Sequence, residues 1–284
     1  MVAELAETFW PAPAKINLFL RVLGRRADGY HELQTLFQLL GWGDRVRIHV
    51  RSDRTIRRVA ANYAVPECED LAIRAASLLQ THTDCVRGAE IAVEKRIPPA
   101  SGMGGCSSDA ATVLLALNHL WDCGLDTPAL SALGLKLGAD VPVFVQGRTA
   151  LAAGIGEKLV PVRLGRRHYV LVFPEMTVST AEIFSDPELK RDSKALPPEL
   201  AVTGAGGNDC ETLVRRRFPP FDLLMRDLMR WGPARMTGTG SGIFIPMPDA
   251  ASANRTAERM KNLYNVRAVC GVDRSPVLDL LDGK

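Results

Sequence analysis

The stretch "PPASGMGGCSSDAATVLLALN", Pro98–Asn118, changes character partway along. Three glycines and three serines fall within the eight residues Ser101–Ser108. Apolar residues at helical spacing follow: Val113, Leu114, Leu117, Leu120 and Trp121. Gly102, Gly104 and Gly105 have no Cβ, so the backbone there can turn through φ > 0 with its N–H groups uncovered. A helix that starts directly after such a turn aims unpaired N–H groups and the positive end of its dipole at one spot, which suits an anion. Ser107 and Ser108 add hydroxyls at the helix start, and small Ala110 and Ala111 permit close approach. No Gly-Lys-Ser/Thr follows the glycines, and Ser107 stands where a dinucleotide fingerprint needs glycine, so neither of those loops is present. The segment reads as a phosphate loop made of Pro98, Pro99, Ala100, Ser101, Gly102, Met103, Gly104, Gly105, Cys106, Ser107 and Ser108.

Outward from this loop, "AEIAVEKRIP" is a strand that leads straight into it, and "DLAIRAASLLQ" before that is a helix with Leu71, Ala75, Leu78 and Leu79 on one side. "AKINLFLRVLG" alternates Ile16, Leu18, Leu20 and Val22 against Lys15, Asn17 and Phe19, and "DRVRIHV" alternates in the same way. Helical stretches follow the loop at Leu130–Leu137 and after Asp140. Around residues 150–160 the chain reads as a glycine-rich connection, and "HYVLVFP" after it as a buried strand. Residues 185–207, rich in Pro, Gly and charge, read as a long surface loop. Helices at 209–217, 221–231 and 250–263 and strands at 242–247 and 266–272 complete a smaller second half. The expectation is two domains, 1–160 and 161–284.

The bulk properties narrow the class. The chain has 284 residues, 46% hydrophobic and 24% charged, with a net charge of +3. That is an ordinary globular composition, and the near balance of charge argues against a dedicated nucleic-acid binder. Six cysteines at 68, 85, 106, 123, 210 and 270 form no C-x-x-C pair and read as free thiols of a reducing compartment. The acidic start "MVAELAETFWPAPAK" lacks the apolar core of a secretory signal, and no apolar run is long enough for a membrane span. A cytoplasmic protein without nucleic-acid or membrane partners is expected.

Three blocks together, "PPASGMGGCSSDAA", "PAPAKINLFLRVLGRRADGYHELQTLFQ" and "MTGTGSGIFIP", resemble the GHMP kinases, small-molecule kinases that use ATP. The likeness covers nearly the whole chain. With "LGADVPVFVQG" and "NDCE", the blocks look closest to the members that phosphorylate a cytidine diphosphate-bearing alcohol in non-mevalonate isoprenoid synthesis. The resemblance implies an α+β, two-domain fold, with an N-terminal half like ribosomal protein S5 domain 2 and a C-terminal ferredoxin-like sandwich. It implies ATP and the cytidine-bearing alcohol as partners, Mg²⁺ accompanying ATP, and a monomer or weak homodimer. Other acceptors used in the family, homoserine, mevalonate or a sugar, are the nearest alternative; an RNA-binding module sharing the N-terminal fold is the alternative from another class.

Residue by residue, the resemblance makes Lys15 and Asp140 the catalytic pair, Lys15 touching the reacting oxygens and Asp140 accepting the proton of the attacking hydroxyl. Alone, Lys15 reads as an exposed strand residue and Asp140 as a helix N-cap. Asn17 shares a strand face with Lys15 and is assigned to substrate. Tyr30 and His31, which alone suggest half-buried packing, are assigned to the cytosine, with Phe184 as second aromatic wall and Thr180 as a polar contact. The turn Thr237–Gly242 is expected beside the phosphate loop. Lys95 and Arg96 are left between two readings, near the nucleotide or at a solvated strand end. The sequence shows no metal-ligand cluster, so Mg²⁺ is expected to rest mainly on the phosphates, helped by Ser107, Ser108 or Asp140. Cys106, Met103 and Asp109 depart from the family pattern, which usually has glycine, leucine and often asparagine there; Cys106 implies a backbone that avoids φ > 0.

Overall fold

A computed structural model describes residues 9–61 and 63–283; most of the acidic N-terminal start read above, residues 1–8, lies outside them. Two long strands set the frame. β1 (Phe9–Arg25) and β2 (His31–Arg51) pair antiparallel from Phe9↔Arg47 to Arg25↔His31. β3 (Ile56–Ala61) runs parallel to β4 (Gly88–Glu94), which pairs with the C-terminal part of β2. β5 (Ala150–Gly154) pairs with Leu33–Phe37 and forms a hairpin with β6 (Lys158–Pro161). In the second half, β7 (His168–Val172) lies between β10 (Val266–Val272) and β9 (Ile243–Met247), with short β8 (Arg235–Met236) at the edge. β10 is the seam. Its residues Val266–Cys270 pair with β7, while Gly271 and Val272 pair with Leu40 and Leu39 of β2.

Helices α1 (Leu71–Thr83), α2 (Gly105–Leu120), α3 (Thr127–Leu135) and α4 (Val141–Gln146) cover one face of the first half. Their starts are written in the sequence: Asp70 accepts from Ala72 N at 3.0 Å and Asp126 from Ala129 N at 2.9 Å, the usual N-cap bonds. Val113, Leu114 and Leu117 of α2 are fully buried against Leu39, Val46 and Ile91, as their spacing predicts. Each such side chain contributes roughly 1.5–3 kcal/mol of hydrophobic burial. The second half carries α5 (Thr180–Ser185), α6 (Pro198–Ala201), α7 (Asp209–Arg217), α8 (Pro219–Leu228) and α9 (Ala250–Met260). A core of Val170, Val172, Ile243 and Ile245 packs there on Leu213, Phe221, Met225 and Met260. A third core joins the two halves, with Ile16, Phe19, Leu36 and Leu40 against Tyr169, Leu171 and Phe244. The last helix, α10 (Pro276–Leu281), returns to the first core and buries Val277 there.

Two sequence readings are corrected. The alternation along β1 does not run through, because a bulge between Asn17 and Leu20 adds a residue opposite β2. Ile16, Leu18 and Phe19 therefore share the third core, while Leu20 and Val22 enter the second. The glycine-rich connection near 150–160 is the β5–β6 hairpin, whose small residues hide a strand that exists because β2 pairs with it. Of residues 185–207, Ser185 closes α5 and the rest are irregular apart from the four residues of α6.

Candidate active site

The glycine loop before α2 gets its shape from bare backbone. Gly104, at φ 72°, is the N-cap of α2, and the first helical bond runs from Ser108 N to Gly104 O at 2.8 Å. The N–H groups of Gly105, Cys106 and Ser107 thus lie ahead of the hydrogen-bond ladder, at the positive end of a 16-residue helix. All three residues line a cleft of about 910 Å³. The turn Thr237–Gly242 closes the loop from the other side. Ser241 N and Gly242 N donate to Ala100 O and Ser101 O, both at 3.1 Å. A Cβ on Gly102 would stand 2.4 Å from Thr237 O, and one on Gly242 2.3 Å from Ser101 O, so only glycine allows this interlock.

Lys15 reaches under the loop from β1. Its Nζ donates to Asn17 Oδ1 at 2.8 Å and Gly102 O at 2.9 Å, and lies 3.2 Å from Asp140 Oδ2. Three acceptors match the three N–H bonds of an ammonium, and the Lys15 residue is only 3% exposed. Asp140 occupies the N-cap position of α4, yet its side chain makes no capping bond. It turns to Lys15 instead and keeps 33% of its side chain open. Asn17 is bonded at both ends of its amide, with Nδ2 donating to Thr35 Oγ1 at 2.9 Å, and its backbone N–H donates to Thr237 Oγ1 at 2.9 Å. In this arrangement Asn17 orients Lys15 and ties β1 to the second turn.

At the far end of the cleft, the Thr180 hydroxyl lies 2.9 Å from that of Thr239, and Phe184 of the same helix lines the wall. Phe184 stacks on His31, with centroids 5.0 Å apart and planes at 28°. His31 is buried behind it and is not part of the wall. Tyr30 is 58% exposed and also outside the wall. Ser108 is fully buried, and its hydroxyl donates to Pro13 O at 2.7 Å, so neither its hydroxyl nor its N–H faces the cleft. The structure thus brings together Lys15, Asn17, Asp140, Pro98–Ser107, Thr180 and Phe184 around one space.

A buried charge cluster beside the loop has no sequence signature, because its members come from three separate elements. Lys95 Nζ pairs with Asp44 of β2 and with Asp109 of α2, the latter at 2.7 Å. Asp44 Oδ1 also accepts from Arg96 N at 2.5 Å and Ile97 N at 2.7 Å, fixing the chain as it enters the loop. Lys95 and Arg96 line the cleft rather than a solvated strand end. Burial pulls the Lys95 ammonium's pKa down, but Asp109 and Asp44 outweigh it and hold the value above the ordinary one. Burial pushes Asp109 well above the usual carboxylate range; Lys95 opposes this and Asp44 reinforces it. Asp109 Oδ1 is buried and has no hydrogen-bond partner among the described residues.

Comparison with known proteins places this geometry. Residues 70–148 match the GHMP kinases N terminal domain. The chain is 51% identical over 272 residues to the 4-diphosphocytidyl-2-C-methyl-D-erythritol kinase of Halorhodospira halophila (strain DSM 244 / SL1), covering 94% of each. It is 48% identical over 275 residues to the kinase of the same name from Alkalilimnicola ehrlichii, covering 97% of this chain and 94% of that one. A crystal structure of 4-(cytidine 5'-diphospho)-2C-methyl-D-erythritol kinase superposes with TM-score 0.81 and 36% identity, over 93% of this chain and 100% of that one. Methanococcus jannaschii mevalonate kinase shares the fold, with TM-score 0.67 at 13% identity over 95% and 99% of the two chains. On sequence and fold alike, the chain belongs to the GHMP kinases and, among them, to the 4-diphosphocytidyl-2-C-methyl-D-erythritol kinase family.

Proposed function

We propose that the protein transfers the γ-phosphoryl group of ATP to the 2-hydroxyl of 4-diphosphocytidyl-2-C-methyl-D-erythritol, a step of non-mevalonate isoprenoid synthesis. One observation carries the reading at the level of chemistry. A lysine-paired carboxylate, Asp140, opens into the same cleft as the uncovered N-terminus of α2. The N–H groups of Gly105, Cys106 and Ser107 receive the phosphates of ATP. Asp140 accepts the proton of the 2-hydroxyl as its oxygen attacks the γ-phosphorus, and the bond from that phosphorus to the β,γ-bridging oxygen breaks to release ADP. Lys15, held by Asn17 and Gly102, keeps the Asp140 carboxylate aimed and sets positive charge beside the oxygens of the transferring group. Phe184 offers an aromatic surface to the cytosine, and Thr180 a hydroxyl.

Among the described residues no group of three or more His, Cys, Asp or Glu could hold a metal ion. The oxygens at hand, the Asp140 carboxylate and the hydroxyl of cleft-lining Ser107, fit a Mg²⁺ carried chiefly by the phosphates. When bound, Mg²⁺ neutralises charge on the β- and γ-phosphates.

A coupled ADP-release assay over a panel of alcohols tests the assignment. Turnover is expected with the cytidine diphosphate alcohol and only background with homoserine, mevalonate or galactose. Preferred turnover of one of those three overturns the substrate.

A further inference from the structure

Arg191 lies on the loop after α5, half-buried, and takes no part in the chemistry above. Its guanidinium donates four hydrogen bonds. Nε–H goes to His31 Nε2 at 3.0 Å, Nη1 to Leu189 O at 3.1 Å, and Nη2 to Phe184 O at 2.9 Å and Asp186 O at 2.7 Å. Phe184 O belongs to the last turn of α5, where carbonyls lack intrahelical partners, and Asp186 and Leu189 lie in the turn that follows it. α5 is only six residues long and carries both Thr180 and Phe184. One side chain therefore fastens the short helix bearing the cleft's aromatic ring to the strand end bearing His31.

The same contact fixes a proton. An arginine donates and never accepts, so His31 Nε2 must present a lone pair to it. Neutral imidazole then carries its hydrogen on Nδ1. Protonating Nε2 would turn an N–H against the guanidinium. Burial first, then the charges of Arg191 and Arg25, lower the His31 pKa, which agrees with a neutral ring. The bond to Arg191 is the only hydrogen bond of the His31 side chain among the described residues, so no other among them competes for the tautomer it sets.

We propose that Arg191 is a positioning residue for the nucleotide-bearing substrate: it fixes the His31 ring and its tautomer and seats Phe184 on that ring, so that Phe184 is held ready to take the flat face of a pyrimidine. This rests on the cytidine reading of the cleft. Lysine cannot replace arginine here, because a single ammonium lacks the planar fork that reaches an imidazole and three carbonyls at once.

The test compares wild type with Arg191→Lys, Arg191→Gln and Arg191→Ala, using CDP titration, separate KM values for the two substrates, and ¹⁵N NMR of the histidine rings. Wild type is expected to bind CDP and to show His31 Nε2 as an unprotonated nitrogen. The variants are expected to lose about tenfold or more in CDP affinity, near 1.4 kcal/mol. KM for the cytidine substrate should rise in parallel, KM for ATP should stay within about twofold, and the His31 signals should shift toward mixed tautomers. If Arg191→Ala does not fold, the Lys and Gln variants decide. CDP affinity and His31 signals unchanged in the variants overturn the inference, as does an equal loss for both substrates. Absence of CDP binding to wild type removes the cytidine reading itself, and the inference with it.

Discussion

The Lys15 ammonium has all of its donors engaged before any substrate arrives, and one of its partners is Asp140, the carboxylate proposed to take the proton. Replacing Asp140 by Asn keeps the shape and a partial contact to Lys15 but removes the proposed base. Turnover is expected to fall by roughly 10²–10⁴-fold with KM for ATP little changed, in steady-state kinetics; near-wild-type turnover would take Asp140 out of the chemistry. Gly104 shows how tightly the same neighbourhood is built. A Cβ there would meet the Phe144 ring at 2.8 Å and Lys15 Cε at 3.3 Å, on a backbone at φ 72°. Gly104→Val is therefore expected to lose roughly 1–2 kcal/mol from the left-handed backbone alone and to displace Lys15. Urea unfolding should register the first effect and turnover the second. Ser108→Ala gives the opposite pattern. Its hydroxyl serves Pro13 O, so a stability loss of about 1 kcal/mol is expected with KM for ATP unchanged, and a raised KM would return Ser108 to the phosphate site.

Among the elements, those set by their own residues were legible in the sequence and those set by partners were not. The apolar spacing of α2, the capping aspartates and the alternation of Val46, Ile48 and Val50 in β2 are local signals, and the structure follows them. The bulge in β1 is invisible from the alternation of its side chains, because it is defined by the register against β2. In the site, the glycine loop and Lys15–Asn17 declare themselves by residue type and spacing. The Asp44–Lys95–Asp109 cluster does not, since β2, the end of β4 and α2 meet only in space. That cluster sets two carboxylates against one ammonium, and it carries a prediction. Asp109 has a folded pKa raised above its unfolded value of about 3.9. The folded state therefore holds the proton more tightly, and the associated stability is full below that value and lost as pH rises through the raised one. Asp109→Asn removes this dependence. Denaturant unfolding should show the variant gaining on wild type between pH 4 and pH 8, by roughly 1 kcal/mol or more. A gain that is the same at both pH values would mean that the carboxylate titrates as it does in water.

At the scale of the molecule, the cleft exists only because two halves are held in one register. The glycine loop before α2 and Lys15 belong to the first half, and Thr237–Gly242 and α5 to the second. Three features couple them: β10, which pairs with both β7 and β2; the third core; and α10, which carries the chain's end back to the first core. Fully buried Gln38 sits at the joint, its Nε2 donating to Thr149 Oγ1 and to Val272 O, each at 3.2 Å. Gly271 passes so close that a Cβ would lie 2.7 Å from Gln38 Cδ. Halves joined through shared strand pairing and a shared core cannot separate without exposing apolar surface on both, so they are expected to unfold together. Calorimetry should give one transition with equal van't Hoff and calorimetric enthalpies. Gly271→Val, which forces Gln38 aside, is expected to lower that single Tm, and to lower turnover by shifting the second glycine turn against the first. Two resolved transitions in wild type, or a Gly271→Val variant that melts in only one half and keeps its activity, would show that the halves are merely neighbours.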